Sequence, residues 1–232
     1  MPKLVFDIET IGEDFDLLDE TTQAVLTRWL KKESENEADY KIALEDFKNG
    51  LGFSPFTGQI AAIGVLDVDK NRGAVYYQNS GKQEEEIEVD GVKFKAMSEK
   101  EMLERFWEGA KNYDQFITFN GRSFDVPFLM VRSAVNGVRP SVFLMGYRYD
   151  KNSNHIDLMD QLSFQGAVRK KPNLHLVARA FGVKSPKESG ITGEDVGRLF
   201  KEGKYLEIAK YNVGDLKATR EIFLIWEKYL KF

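Results

Sequence analysis

The run "QIAAIGVLDVD", residues 59–69, limits the fold more than any other stretch of this sequence. Its apolar and β-branched side chains follow one another without the three- and four-residue spacing of a surface helix, so it reads as a long buried strand. Such a strand needs partners, and the flanking sequence supplies them. "KLVFDIET" (3–10) opens the chain with a strand-like apolar run, and "GAVYYQN" (73–79) reads as a third strand paired with the buried one. "KQEEEIEVDGVKFKAM" (82–97) reads as a short hairpin turning at Asp90-Gly91. "SEKEMLERFWEGAKNY" (98–113) starts with a Ser N-cap and a Glu three residues later, the signature of a helix start. "DQFITFNG" (114–121) is a further strand ending at a turn, and "SFDVPFLMVRSAVNG" (123–137) a helix with Pro127 in its first turn.

The second half reads as helical. "HIDLMDQLSF" (155–164) and "NLHLVARAFGV" (173–183) have the pattern of short amphipathic helices, with the basic "VRKKPN" between them. From Gly193 onward the spacing predicts a short helix and then one or two long ones. Strands first, one more after a helix, then helices to the end describe a single α/β domain over 1–232. With 232 residues and 42% hydrophobic composition, the chain can bury a substantial core. Residues 13–57 are polar, highly charged and partly helical in pattern, and the loop "GFSPFTG" closes them. They read as a charged helical insertion between the first two strands.

Composition narrows the function. The absence of cysteine excludes disulfides, thiolate zinc sites and cysteine nucleophiles. The start "MPKLVFDIET" lacks a signal-peptide run and no stretch reaches membrane-spanning length, so a soluble, cytoplasmic protein is expected, with no membrane partner. A net charge of −4 does not suit a protein that holds duplex by charge alone. Acids clustered around divalent metals bind polyanions all the same, because the metals carry the positive charge.

Asp7 and Glu9 stand one residue apart at the end of the first strand, where both side chains can point to one side. Asp125 follows the strand "FITF" and the turn "NGRS". Tyr211 and Asp215 lie four residues apart on the late helix and leave the same face. Singly, each has a bland reading: a surface acid, a helix cap, a packed tyrosine. Together, three distant segments present acids near the edge of one sheet, and such carboxylates repel one another unless cations hold them. Hard oxygen ligands suit Mg²⁺ or Mn²⁺, and two such ions roughly 3.5–4 Å apart are suited to hydrolysing a phosphodiester.

In order, "FDIET", "NGRSFD" and "YNVGD" resemble the three motifs of the DEDD 3′→5′ exonucleases, tyrosine-type branch. The second is similar to the form found in the proofreading domains of family B DNA polymerases, and 232 residues leave no room for a polymerase palm or fingers. The chain thus resembles the free-standing, polymerase-B-like exonucleases. The resemblance implies a ribonuclease-H-like fold, a central mixed β-sheet flanked by α-helices. It implies two Mg²⁺ or Mn²⁺ ions held by Asp7, Glu9, Asp125 and Asp215, with Asp7 bridging and Tyr211 orienting the attacking water. It further implies that Thr10 and Ile11 border the terminal nucleotide, that Asn120 reaches the backbone and that Phe124 stacks near the 3′ end. The histidine branch places His where this chain has Lys210, and His155 and His175 read as ordinary histidines.

The substrate implied is single-stranded DNA or a frayed 3′ end. An exoribonuclease is the alternative within the same chemistry, and a non-catalytic nuclease-fold protein that binds nucleic-acid ends is the alternative outside it. A two-carboxylate glycosidase would leave Asn120, Phe124 and Tyr211 unexplained. Arg169, Lys170 and Lys171 read either as phosphate contacts or as a solvated loop. Asp157 reads as a helix-start residue, and with Asp160 it is a spare acid near the site.

Overall fold

Alternation along the first strand sets up both faces of the sheet. The computed structural model describes residues 1–79, 86–150, 153–185 and 190–231. In it, β1 (Lys3–Gly12) packs Leu4, Phe6 and Ile8 into one core and Val5 into the other. The two-residue period places Asp7 and Glu9 on the Val5 side. β2 (Gly58–Asp67), buried at eight of its ten positions, runs antiparallel to β1, and β3 (Arg72–Tyr77) antiparallel to β2.

The expected hairpin is β4 (Ile87–Val89) and β5 (Val92–Ala96). Asp90 and Gly91, with φ of 50° and 76°, take the left-handed pair of conformations that a two-residue hairpin turn requires. Residues 82–85, at the start of that stretch, lie outside the described residues. β5 pairs with β3 in parallel, β6 (Gln115–Thr118) joins β1 in parallel at its other edge, and β7 (His155–Asp157) joins β6. Among the described residues the strands form one mixed sheet in the order β4-β5-β3-β2-β1-β6-β7.

The segment between β1 and β2 holds α1 (Glu20–Thr27), α2 (Leu30–Glu33) and α3 (Glu37–Gly50). One face of the sheet is covered by α4 (Glu99–Ala110), which starts at the capping box of Ser98 and Glu101, and by α5 (Asp125–Val135). Met102, Leu103, Phe106, Phe128 and Leu129 pack there against Phe6, Ile60 and Ile63. After α6 (Leu158–Leu162), the other face receives α7 (Leu174–Phe181), α8 (Val196–Lys201) and the 25-residue α9 (Tyr205–Tyr229). Val177, Leu199, Ile208, Leu216 and Phe223 close on Val5, Leu66, Val75 and Ile117. Each large side chain buried this way contributes roughly 1.5–3 kcal/mol.

Two expectations need correction. Residues 155–157 are strand, not the start of a helix. Their pairing with β6 overrides the local pattern, and Asp157 then ends the strand by accepting the amides of Met159 and Asp160. Asp7 and Glu9 sit in the middle of β1 rather than at its end, because the strand continues through the acids to Gly12. A bulge follows them: Glu9 pairs with Ala62 and Thr10 with Ile60, leaving Ala61 as the extra residue.

Candidate active site

α9 turns a buried stripe toward the sheet: Ile208, Tyr211, Asn212, Asp215, Thr219, Ile222, Phe223 and Trp226, at three- and four-residue spacing. Asn212, Asp215 and Thr219 stand in this stripe where leucines would ordinarily pack. Opposite them, Gly64 pairs with Asp7 across the β1–β2 ladder. A Cβ on Gly64 would lie 1.8 Å from Asn212 Oδ1 and 2.6 Å from Leu216, so only glycine lets the helix approach this closely.

At this contact Asp7, Glu9 and Asp215 each bring a carboxylate oxygen within 4.8 Å of the others. Asn212 lies beneath them, wholly buried, and its Nδ2 donates to Asp7 Oδ2 at 2.8 Å and to Glu9 Oε1 at 3.4 Å. The Tyr211 hydroxyl is hydrogen-bonded to Asp215, one helical turn on. Asp125 stands outside the trio. Its Oδ1 accepts the amide of Ile8, the residue between the two β1 acids, at 2.9 Å.

The electrostatics are those of acids crowded together. Burial lifts the Asp7 carboxyl well above its usual range, and the charges of Asp125, Asp215 and Glu9 lift it further. Burial and Asp215 do the same to Glu9, against the lowering effect of the Asn212 hydrogen bond. Asp125 is pushed up to about 7, mainly by burial, with the charges of Asp157 and Asp215 adding to it and the Ile8 amide opposing. Burial and the same acids push the Tyr211 phenol upward, so it keeps its proton at neutral pH. The charges acting on Asp7 are all carboxylates, and a hard-oxygen set of this kind fits Mg²⁺ or Mn²⁺.

Thr10 is half-buried, and its hydroxyl donates to the Gly52 carbonyl at 2.7 Å. Ile11, next along β1, is only 5% exposed and packs in the core, because alternation returns it to the inward side after Thr10. Asn120 takes a left-handed φ of 68° and closes the turn after β6, its amide bonded to Asp157 Oδ1 at 2.9 Å. Phe124 is half-buried against Phe128 and Phe53.

Asp157 also takes the Arg122 amide, so it holds the turn that leads to Asp125 as well as starting α6. Asp160 pairs with Arg148. Arg169, Lys170 and Lys171 are exposed. His155 is buried, bonded to Thr118 and held down to about 4 by burial and the nearby Arg122, and the His175 ring bonds Ser185. Asn212 and Gly64 went unnoticed in the sequence, since one fills an unspecified position of Tyr-x-x-x-Asp and the other acts only through strand register.

A family model described as a predicted 3′–5′ exonuclease related to the exonuclease domain of PolB matches residues 59–231. The chain belongs to this family. The matched range contains Asp125, Tyr211 and Asp215, while Asp7, Glu9 and the segment 13–57 precede it. The chain is also similar to DNA polymerases: 32% identical over 146 residues to that of Desulfurococcus sp. (strain Tok), and 31% over 146 residues to that of Thermococcus gorgonarius. Each match covers 54% of this chain and 18% of the polymerase, so the chain corresponds to a small part of those relatives.

Among solved structures, the family B DNA polymerase of Pyrobaculum calidifontis superposes on 99% of this chain with a TM-score of 0.58, at 17% identity and over 24% of its own length. That likeness extends the shared fold to β1. The mixed sheet flanked by helices is the ribonuclease-H-like α/β fold of the polymerase-related exonucleases. Among the described residues, no helix is long and apolar enough to cross a membrane.

Proposed function

We propose that residues 1–232 form a single metal-dependent 3′→5′ exonuclease domain, with 13–57 as an insertion, hydrolysing phosphodiester bonds at the 3′ end of single-stranded or frayed DNA. One observation carries this reading: Asp7 and Glu9 from β1 and Asp215 from α9 converge within 4.8 Å. Two Mg²⁺ or Mn²⁺ ions would be held by these three acids and Asp125. Bound there, the cations would supply Lewis acidity toward an attacking water and toward the leaving oxygen.

The chain's own groups do the positioning. Asn212 fixes Asp7 and Glu9 from below, and the Ile8 amide fixes Asp125. Tyr211, which keeps its proton, is not a base; its O–H, given to Asp215 in the metal-free site, would turn to align the water once Asp215 holds a cation. Asn120 and Phe124 flank the terminal nucleotide at the mouth of the site.

The test uses matched single-stranded DNA and RNA oligonucleotides, labelled at either end, with Mg²⁺, with Mn²⁺ and with EDTA. Stepwise shortening of 5′-labelled DNA from its 3′ end, dependent on metal, is the expected result. Faster loss of RNA would move the substrate to RNA, and no hydrolysis by folded protein with metal present would end the exonuclease reading.

A further inference from the structure

The α4 face of the sheet carries a cavity that the exonuclease reading leaves unused. It holds about 290 Å³, at the small end of ligand cavities, which run from about 300 to 1,000 Å³. Strand register builds one wall. Leu4 pairs with Asp67, Asp67 with Arg72 and Val65 with Ala74, so these side chains share the face that α4 covers. α4 builds the facing wall from one stripe, Arg105, Phe106 and Gly109, with Tyr113 just past its end. Ala74 and Gly109 are too small to close the gap, and a Cβ on Gly109 would meet nothing within 4 Å.

The lining is of two kinds. Tyr76, Phe106 and Tyr113 give it flat aromatic sides, and Tyr113 is fixed by donating its hydroxyl to Asp67 Oδ2 at 3.1 Å. Asp67 has its charge met, since it also takes Lys70 Nζ at 3.1 Å and the amides of Asp69 and Lys70. Arg72 and Arg105 line the cavity from its exposed side. Among the described residues the ion pairs of arginine belong to Arg132, Arg148, Arg198 and Arg220, so neither of these two guanidiniums is matched by contact with an acid. Two unmatched guanidiniums beside aromatic rings suit a phosphate carried on a flat ring system, because the planar fork of arginine gives phosphate two parallel hydrogen bonds.

We propose that this cavity binds a nucleoside 5′-monophosphate, with its base against Tyr76 and Tyr113 and its phosphate between Arg72 and Arg105. The choice of a nucleotide rests on the exonuclease reading. When water attacks the phosphorus of a 3′-terminal nucleotide, its oxygen bonds to phosphorus, the 3′ oxygen of the preceding nucleotide leaves with a proton, and a 5′-monophosphate is released. A cavity of this size suits one such nucleotide. The sheet separates it from the acids, which face α9, so a product molecule can be held here without a cation and with the acid site free.

The experiment is a binding titration of the full chain in EDTA, followed by calorimetry, where no cation can hold a phosphate at the acids. The probes are the four 2′-deoxynucleoside 5′-monophosphates, inorganic phosphate and deoxyadenosine. At least one monophosphate should bind, with phosphate and deoxyadenosine weaker by about tenfold or more. Arg72→Gln and Arg105→Gln should each weaken that binding by about tenfold or more, as expected for the loss of a charge-assisted contact. Gly109→Leu should abolish it by filling the gap, with an equal or higher melting temperature, because leucine favours a helix over glycine. All three variants should hydrolyse single-stranded DNA at the wild-type rate with Mn²⁺.

Phosphate or deoxyadenosine bound as tightly as the monophosphates would overturn the nucleotide site. So would undiminished binding in both arginine variants or in folded Gly109→Leu. A parallel loss of hydrolysis in the arginine variants would make these residues contacts of the DNA strand and overturn it as well. Wild type that hydrolyses DNA and binds no monophosphate in EDTA removes only this inference. Folded wild type that hydrolyses nothing, yet binds a monophosphate in EDTA, ends the exonuclease reading and leaves this site standing.

Discussion

Two clusters of buried charge lie on opposite faces of the sheet, and they are balanced in different ways. On the α4–α5 face, Glu99 is enclosed by donors: Arg132 Nε at 2.9 Å and Nη2 at 2.7 Å, Asn136 Nδ2 at 3.0 Å and the Ile60 amide at 2.8 Å. On the α9 face, the charges acting on Asp7 are other carboxylates, and a neutral amide, Asn212, is the donor that the chain supplies to Asp7 and Glu9. The first cluster neutralises itself and fastens β2 to α4 and α5. The second is a group of acids that could hold a cation. Internally paired charge is scaffold, and like charge held together against its own repulsion marks chemistry.

The difference should be plainest in a pair of variants. Asp7→Ala should lower hydrolysis by at least about a thousandfold, several kcal/mol of transition-state stabilisation. The metal-free fold should be as stable as wild type or more so, because a repulsion has gone. Retention of more than a few per cent of activity would contradict the role of Asp7 as a metal ligand. Arg132→Met should do the reverse. Leaving Glu99 buried without its partner costs about 3–5 kcal/mol in a urea titration, with hydrolysis per folded molecule unchanged. A loss under 1 kcal/mol would erase the contrast.

Smaller effects sharpen it. Tyr211→Phe should slow hydrolysis by about 10²–10³-fold, by analogy with losing one transition-state donor, while Mn²⁺ affinity holds. A wild-type rate in this variant would reduce the tyrosine to a packed residue. Asn212→Ala should weaken Mn²⁺ binding by about tenfold, as expected for a residue that orients ligands, and unchanged affinity would make Asn212 a packing residue.

The smallest effect is the pH response of the metal-free protein. Asp125 has a folded-state value of about 7, above its unfolded value, so the folded state takes up protons as pH falls from 8 to 6.5. Stability therefore rises across that window, by about 1 kcal/mol from this group alone. The buried His155, held near 4, already offsets part of the gain in this window and offsets more below 6.5, because the unfolded chain binds a proton there that the folded one refuses. Thermal melts in EDTA would show it, and a flat or falling profile from pH 8 to 6.5 would contradict the crowding of acids.

Much of this was legible because local chemistry and global fold agree. The apolar run of β2, the Ser98 capping box and the Asp90-Gly91 turn each announce their structure within a few residues. β7 did not, because three residues followed at once by a helix carry no period of their own and only pairing with β6 makes them a strand. The acids were visible as motif residues, but their place within β1 was hidden because Asp7 and Glu9 interrupt the apolar run that marks a strand. Asn212 shows what one sequence withholds. A polar residue on the buried stripe of α9 was the available signal, and the acids it serves lie more than two hundred residues away.

The most direct test is calorimetric titration of Mn²⁺ into metal-free protein at pH 7.5, in two buffers of different ionisation enthalpy. Wild type should bind two ions and release protons, because carboxylates with raised values must give them up to become ligands. Asp7→Ala should lose most of that binding, and Arg132→Met should keep it. Wild type that takes up no Mn²⁺, or Asp7→Ala that binds it as tightly as wild type, would contradict the assignment of the acid cluster as a metal site.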